Sequence, residues 1–135
     1  MERKARGATP VCKLVLVCLL TALFTVLASC GGDAERAAAA MTGGTPAKGR
    51  AAIGRYGCSA CHTVPGVSGA NGHVGPPLAE IASRVYLAGR LQNTPDNMIL
   101  WIRNPQGVDD KTAMPNLGVS EADARDIASY LYTLK

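Results

Sequence analysis

Large aromatic side chains are scarce in this chain: its 135 residues include one tryptophan, one phenylalanine and four tyrosines. The phenylalanine, Phe24, falls in an apolar N-terminal stretch, so the remainder has none and relies on alanine and glycine. A small domain of that composition buries little surface and is marginal on protein contacts alone. The shortage points to a large apolar group in the centre of the core. The chain also lacks internal repeats and the period-two alternation of half-buried strands, which argues against an all-β or repeat architecture. Its five cysteines are an odd number with no regular spacing, so no disulfide framework fits them.

A large charge of one sign is missing as well. The formal net charge is +4, but four of the fourteen Lys and Arg, and one of the ten Asp and Glu, lie before Cys30. Beyond that point ten basic side chains face nine acidic ones, a balance of +1. No nucleic-acid partner follows from such a surface.

The basic residues of the first segment, Arg3, Lys4, Arg6 and Lys13, precede an apolar run from Leu14 to Ala28. That run is shorter than the ~20 residues that span a bilayer and matches the core of an export signal. It closes on Leu27-Ala28-Ser29-Cys30, which resembles the lipobox of bacterial lipoproteins. In such proteins the cysteine is lipidated and becomes the mature N-terminus. An ordinary secretory signal and an uncleaved anchor helix are the competing readings. Residues 1–29 are thus expected to be a lipoprotein signal peptide, with Cys30 the lipidation site. Residues 30–45 read as a flexible tether, in which only the tract Ala37–Ala40 favours a short helix. Residues 46–135 form the domain.

In that domain, end signals place about four helices. Thr45-Pro46 is a cap followed by proline at the first helical position, and Gly57 stops the helix after Tyr56. A second, short helix is expected over Pro77–Ala88. Thr94-Pro95 opens a third, which ends near Asn104 because Pro105 cannot continue it. Ser120 with Asp123 approximates a capping box for a last helix running to about Leu134. Ala124, Ile127, Ala128, Leu131 and Leu134 share one face of it.

Cys58-Ser59-Ala60-Cys61-His62 is the Cys-x-x-Cys-His sequence of covalent haem attachment. Two thiols three residues apart lie one turn apart and reach both vinyl groups of one haem, and the adjacent histidine ligates the iron. A dithiol redox site uses the same pair but accompanies a strand-helix-strand pattern that is missing here. A zinc site needs four ligands. Cys58, Cys61 and His73 supply three, and His62 adjoins Cys61 too closely to serve as the fourth. The second axial ligand is expected from Met114, in the extended segment Ala113-Met114-Pro115, a soft thioether that raises the reduction potential. His73, Met98 and Met41 are the alternatives.

With these residues in view, the stretch from Pro46 to Lys135 resembles the class I mono-haem c-type cytochromes. The likeness rests on Cys58-x-x-Cys61-His62, Gly75-Pro76, Asn104-Pro105, Met114-Pro115 and Ile127-Ala128-Ser129-Tyr130-Leu131. It implies an all-α fold, a small cytochrome c fold around one covalently bound haem c. It also implies that the Pro76 carbonyl accepts a hydrogen bond from His62. Gly49 and Tyr130 would mark the crossing of the first and last helices, Trp101 would stand near the methionine sulfur, and Thr112 would contact a haem propionate. Trp101 departs from the tyrosine often found at its position.

The function expected from the resemblance is that of a one-electron carrier of a respiratory chain rather than an enzyme. Partners would be a terminal oxidase or reductase, a quinol-oxidising complex or a dehydrogenase. The chain would work outside the cytoplasm, on the periplasmic face, held to the membrane by its lipid anchor at Cys30. A haem-based sensor and a permanently bound subunit of an oxidoreductase complex are the competing readings.

Overall fold

The computed structural model describes residues 29–135. Apart from Ser29, the expected leader lies outside them. The chain divides into two compact units, Met1–Asp33 and Ala34–Lys135, and the second carries the fold described below. Among the described residues there are five α-helices: α1 (Ser29–Thr42), α2 (Pro46–Arg55), α3 (Pro95–Arg103), α4 (Pro105–Val108) and α5 (Glu121–Leu131). Two 3₁₀ turns, Cys58–Ala60 and Ile81–Ser83, and one small antiparallel hairpin, β1 (Tyr86–Leu87) with β2 (Leu91–Gln92), complete the elements. No helix among them is long and apolar enough to cross a membrane.

Local chemistry sets the helix ends. Thr94 Oγ1 accepts the Asn97 N–H at 3.3 Å, and Pro95 occupies the first turn of α3. Asn104 Oδ1 takes the Gly107 N–H at 3.1 Å to open α4. Ser120 Oγ accepts the Asp123 N–H at 3.1 Å at the start of α5. Thr45 precedes Pro46 as expected but makes no side-chain cap. Its N–H donates instead to Asp126 Oδ1 of α5 at 2.6 Å, so the start of α2 is fixed by a distant helix.

The core is the crossing of α2 and α5. A Cβ added at Gly49 would lie 1.9 Å from the Asp126 carbonyl oxygen, and one at Gly44 would lie 2.2 Å from that of Arg125. The backbones meet there with no room for a side chain. Ala124, Ile127, Ala128 and Leu131 are buried, as the helical spacing predicts. Tyr130 reaches the loop after His62, where its hydroxyl donates to the Pro65 carbonyl at 2.6 Å. Asp123 closes the same crossing at its other end, accepting from Tyr56 Oη at 2.8 Å, Ser120 Oγ at 2.9 Å and Arg55 Nη2 at 2.6 Å.

Three expectations need correction. Pro77–Ala88 is not a helix. Glu80 takes a left-handed conformation, φ 57°, and only one 3₁₀ turn follows. The carbonyls that a helix would pair internally are taken by side chains, one from beyond the segment and one from within it. Asn93 Nδ2 donates to Ile81 O and Arg84 O at 2.9 and 2.7 Å, and Arg84 Nη2 donates to Pro77 O and Ala79 O. Tyr132 Oη holds Asn93 in place at 2.8 Å. The segment expected to be a flexible tether is helical through Thr42. Ala38 and Thr42 are buried, and the Thr42 carbonyl accepts from Arg125 Nη1 at 3.4 Å. The last helix ends three residues early, and the Leu134 carbonyl accepts the Ala82 N–H at 3.1 Å.

Two measurements check this account. Gly49→Ala should destabilise the domain by about 3 kcal/mol through backbone displacement. Gly54→Ala, which meets nothing within 4 Å, should instead raise stability by about 0.5–1 kcal/mol; urea unfolding reads both. Hydrogen bonds from Tyr56 and Ser120, followed by the Arg55 charge, hold the Asp123 carboxyl below its ordinary range. A lowered folded-state pKa contributes stability above the unfolded-state value and loses it as pH falls through the folded one. Asp123→Asn should therefore melt below the wild type at neutral pH, and the two curves should converge in acid.

Candidate functional site

The 3₁₀ turn at Cys58–Ala60 begins after Gly57, whose φ of 74° turns the chain sharply out of α2. The Cys58 carbonyl accepts both the Cys61 N–H at 3.2 Å and the His62 N–H at 3.0 Å. One closed turn therefore carries both thiols and the histidine. Both cysteines are free and half-buried. Burial pushes the Cys58 thiol above its usual range, the reverse of the activation that dithiol redox chemistry uses.

His62 is held by its own loop. The Gly75 N–H donates to the Cys61 carbonyl at 2.8 Å. His62 Nδ1 lies 2.7 Å from the Pro76 carbonyl oxygen. A carbonyl can only accept, so Nδ1 carries the proton, and in the neutral ring Nε2 is then the nitrogen with a lone pair for a metal. The ring packs against Gly75: a Cβ there would lie 2.4 Å from His62 Cε1. The glycine of the Gly75-Pro76 pair is thus required by the ring beside it.

Met114 lies in the segment between α4 and α5. Its N–H donates to Thr112 Oγ1 at 3.2 Å and its carbonyl accepts from Gln106 Nε2 at 2.6 Å. Cys58, Cys61, His62, Pro76, Trp101, Thr112 and Met114 all line one cleft of about 520 Å³. Its remaining wall is largely aliphatic, with Ile53, Ile81, Leu87, Ile102, Ile127 and Leu131 among the contributors.

Of the alternative ligands, His73 is exposed and Met41, in α1, is 53 % exposed; neither lines the cleft. Met98 does, but it is 2 % exposed and packed into the core from α3. No three His, Cys, Asp or Glu side chains cluster as a metal site among the described residues, which leaves the zinc reading without a donor set. Thr112 Oγ1 is engaged with the Met114 amide. Cys30 falls in the first turn of α1, in the other compact unit.

Residues 46–135 match the family model described as Cytochrome c. The chain belongs to the cytochrome c family. It is also 34% identical over 89 residues to cytochrome c oxidase subunit 2 of Alkalihalophilus pseudofirmus, an overlap of 65% of this chain and 25% of that protein. The chain thus spans about a quarter of that relative's length. No solved structure matches. Membership implies covalently bound haem c, and the cytochrome c cleft fits such a group. Its donor set is two thiols, an imidazole with a free Nε2 and a thioether on an apolar wall, at a volume in the usual range of cofactor sites.

Besides the aliphatic wall, Arg84, Ala88 and Asp109 are cleft residues that escaped the sequence reading. Ala88 is the least expected, because its φ of 50° is a conformation that an alanine adopts at a cost of roughly 1 kcal/mol. The nearest sequence signal was Gly89, flanked by Leu87 and Leu91, which marks a tight hairpin only weakly without an Asn or Asp before it.

Gly75→Ala tests the histidine's mounting. The added methyl should push the His62 ring off the Pro76 carbonyl, and holoprotein yield should fall severalfold while Gly54→Ala, helical and in open space, changes yield little. Haem absorbance per polypeptide in purified material reads the difference.

Proposed function

We propose that this cytochrome c is a one-electron carrier whose iron is held by His62 Nε2 and Met114 Sδ. The observation that carries this reading is the convergence of Cys58, Cys61, His62 and Met114 on a single apolar cleft. Bound haem supplies a ferric–ferrous couple of one electron. Cys58 and Cys61 attach it, the Pro76 carbonyl fixes the His62 ring, and the thioether of Met114 favours the reduced state. Two protein ligands complete the coordination and leave no position for a substrate, which separates a carrier from an oxygenase or a peroxidase. Trp101 and Thr112 line the same cleft as the methionine; Thr112 Oγ1 accepts the Met114 N–H and, as in the resembled family, would lie near a haem propionate.

The reading extends to location and partners. Residues 1–29 would direct export, Cys30 would carry the lipid, and residues 30–45 would link the anchor to a haem domain over 46–135. Anchoring raises the carrier's effective concentration near membrane complexes. The oxidase relative supports a terminal oxidase as electron acceptor. The same likeness favours a second reading, a fixed subunit of such a complex, and copurification from solubilised membranes separates the two.

The deciding measurement is an optical spectrum of the mature protein, oxidised and reduced, with and without carbon monoxide. A c-type reduced spectrum that survives denaturation, a methionine–iron band in the oxidised form and no response to carbon monoxide are expected. Met114→Ala should bind carbon monoxide and lose the band, and replacing both Cys58 and Cys61 with alanine should release the haem on denaturation. A rapid carbon monoxide shift in the wild type would remove Met114 as a firm ligand.

A further inference from the structure

The Met114 segment has no regular secondary structure from 112 to 120, so something other than a helix or a sheet must hold it. Gln106 grips it from α4. Asp123 and Tyr56 hold its far end at Ser120, and a further attachment comes from the hairpin that precedes α3. Ala88 and Gly89 both have positive φ, 50° and 67°, and the Arg90 N–H donates to the Leu87 carbonyl at 2.9 Å. That tight turn delivers Arg90, whose Nε lies 3.0 Å from Asp109 Oδ2. Asp109 passes the restraint onward. Its Oδ1 accepts the Lys111 N–H at 3.2 Å, its carbonyl accepts the Thr112 N–H at 3.1 Å, and Thr112 Oγ1 accepts the Met114 N–H.

We propose that the Arg90–Asp109 ion pair is a latch that positions the Met114 thioether. Leu87 and Ala88 of the hairpin, and Asp109, Thr112 and Met114 of the segment, all line the cleft. The pair therefore joins two of its walls. The Asp109 side chain is 18% exposed and that of Arg90 55%, so solvent screens the pair only in part. The strained turn at Ala88 fits this role, because relaxing it would swing Arg90 away from Asp109. The inference rests on Met114 being an iron ligand. Arg90 and Asp109 touch neither iron nor ligand and act only by limiting how often the thioether leaves.

The test is imidazole affinity of the oxidised holoprotein, since imidazole competes with the thioether, read together with the methionine band and the thermal midpoint. Arg90→Ala and Asp109→Asn should each tighten imidazole binding about threefold, the scale of a partly exposed ion pair. The double variant should add nothing further, because both substitutions remove the same contact. Asp109→Ala, which also loses the acceptor for Lys111, should reach about tenfold. Arg90→Lys should restore most of the wild-type affinity. Thr42→Ala, which removes the Thr42–Ala38 hydrogen bond within α1 and away from the cleft, should lower the midpoint and leave imidazole affinity unchanged. Single variants within twofold of wild type, or effects that add in the double variant, would overturn the latch. If Met114→Ala itself leaves the band and imidazole affinity unaltered, the ligand reading fails first and takes the latch with it. Arg90 is a surface side chain, so its variants remain testable should those of Asp109 not fold.

Discussion

The close crossing of α2 and α5 is the constraint on which the remaining structure depends. Where Gly49 of α2, and Gly44 just before that helix, meet the backbone of Asp126 and Arg125, the chain packs against α5 without intervening side chains. That contact sets the position of the turn carrying Cys58, Cys61 and His62, because the turn leaves directly from the end of α2. It also sets where the chain arrives from the Met114 segment, because that segment feeds directly into α5. Asp123 ties these two junctions together through Tyr56 and Arg55 on one side and Ser120 on the other. The cleft is thus the space between two exits from one rigid crossing.

This arrangement explains how a domain so poor in aromatics stays folded. The aliphatic side chains of α3, α5 and the hairpin line the cleft as much as they pack on one another, and Ile127 and Leu131 do both. Much of the apolar surface in the centre is arranged for a partner that is not polypeptide. A cofactor attached by two covalent bonds then supplies the missing core volume and cannot dissociate from a site that encloses it only in part. The composition, the Cys-x-x-Cys-His turn and the shape of the cleft are three views of one physical solution.

What was legible in the sequence was local. Thr94-Pro95 and Ser120 announced their helices because capping involves residues three apart. The spacing of Cys58, Cys61 and His62 was readable because one turn builds it. Pro77–Ala88 misled because its backbone partners are remote: Thr63 takes the Leu78 amide, Leu134 takes that of Ala82, and Asn93, held by Tyr132, takes two carbonyls. No helical spacing of three or four residues encodes those bonds. The segment before Pro46 misled for the same reason. An alanine tract can be helix or coil in isolation, and the burial of Ala38 and Thr42 is a tertiary fact.

The same division runs through the site. The residues that would touch the cofactor were found from motifs, since haem chemistry restricts both their type and their spacing. The residues that hold those in place were not, because a guanidinium on a hairpin and a carboxylate nineteen positions later obey no spacing rule. Yet ligand strength depends on both groups. A thioether on an irregular segment is only as firm as the contacts that restrain that segment. In this protein they include one amide from α4, one ion pair from the hairpin and the bonds of Ser120 to Asp123 and Tyr56. Under the proposed ligation, related chains that share the attachment motif and the methionine would therefore differ in how readily the thioether is displaced, through residues that never meet the iron.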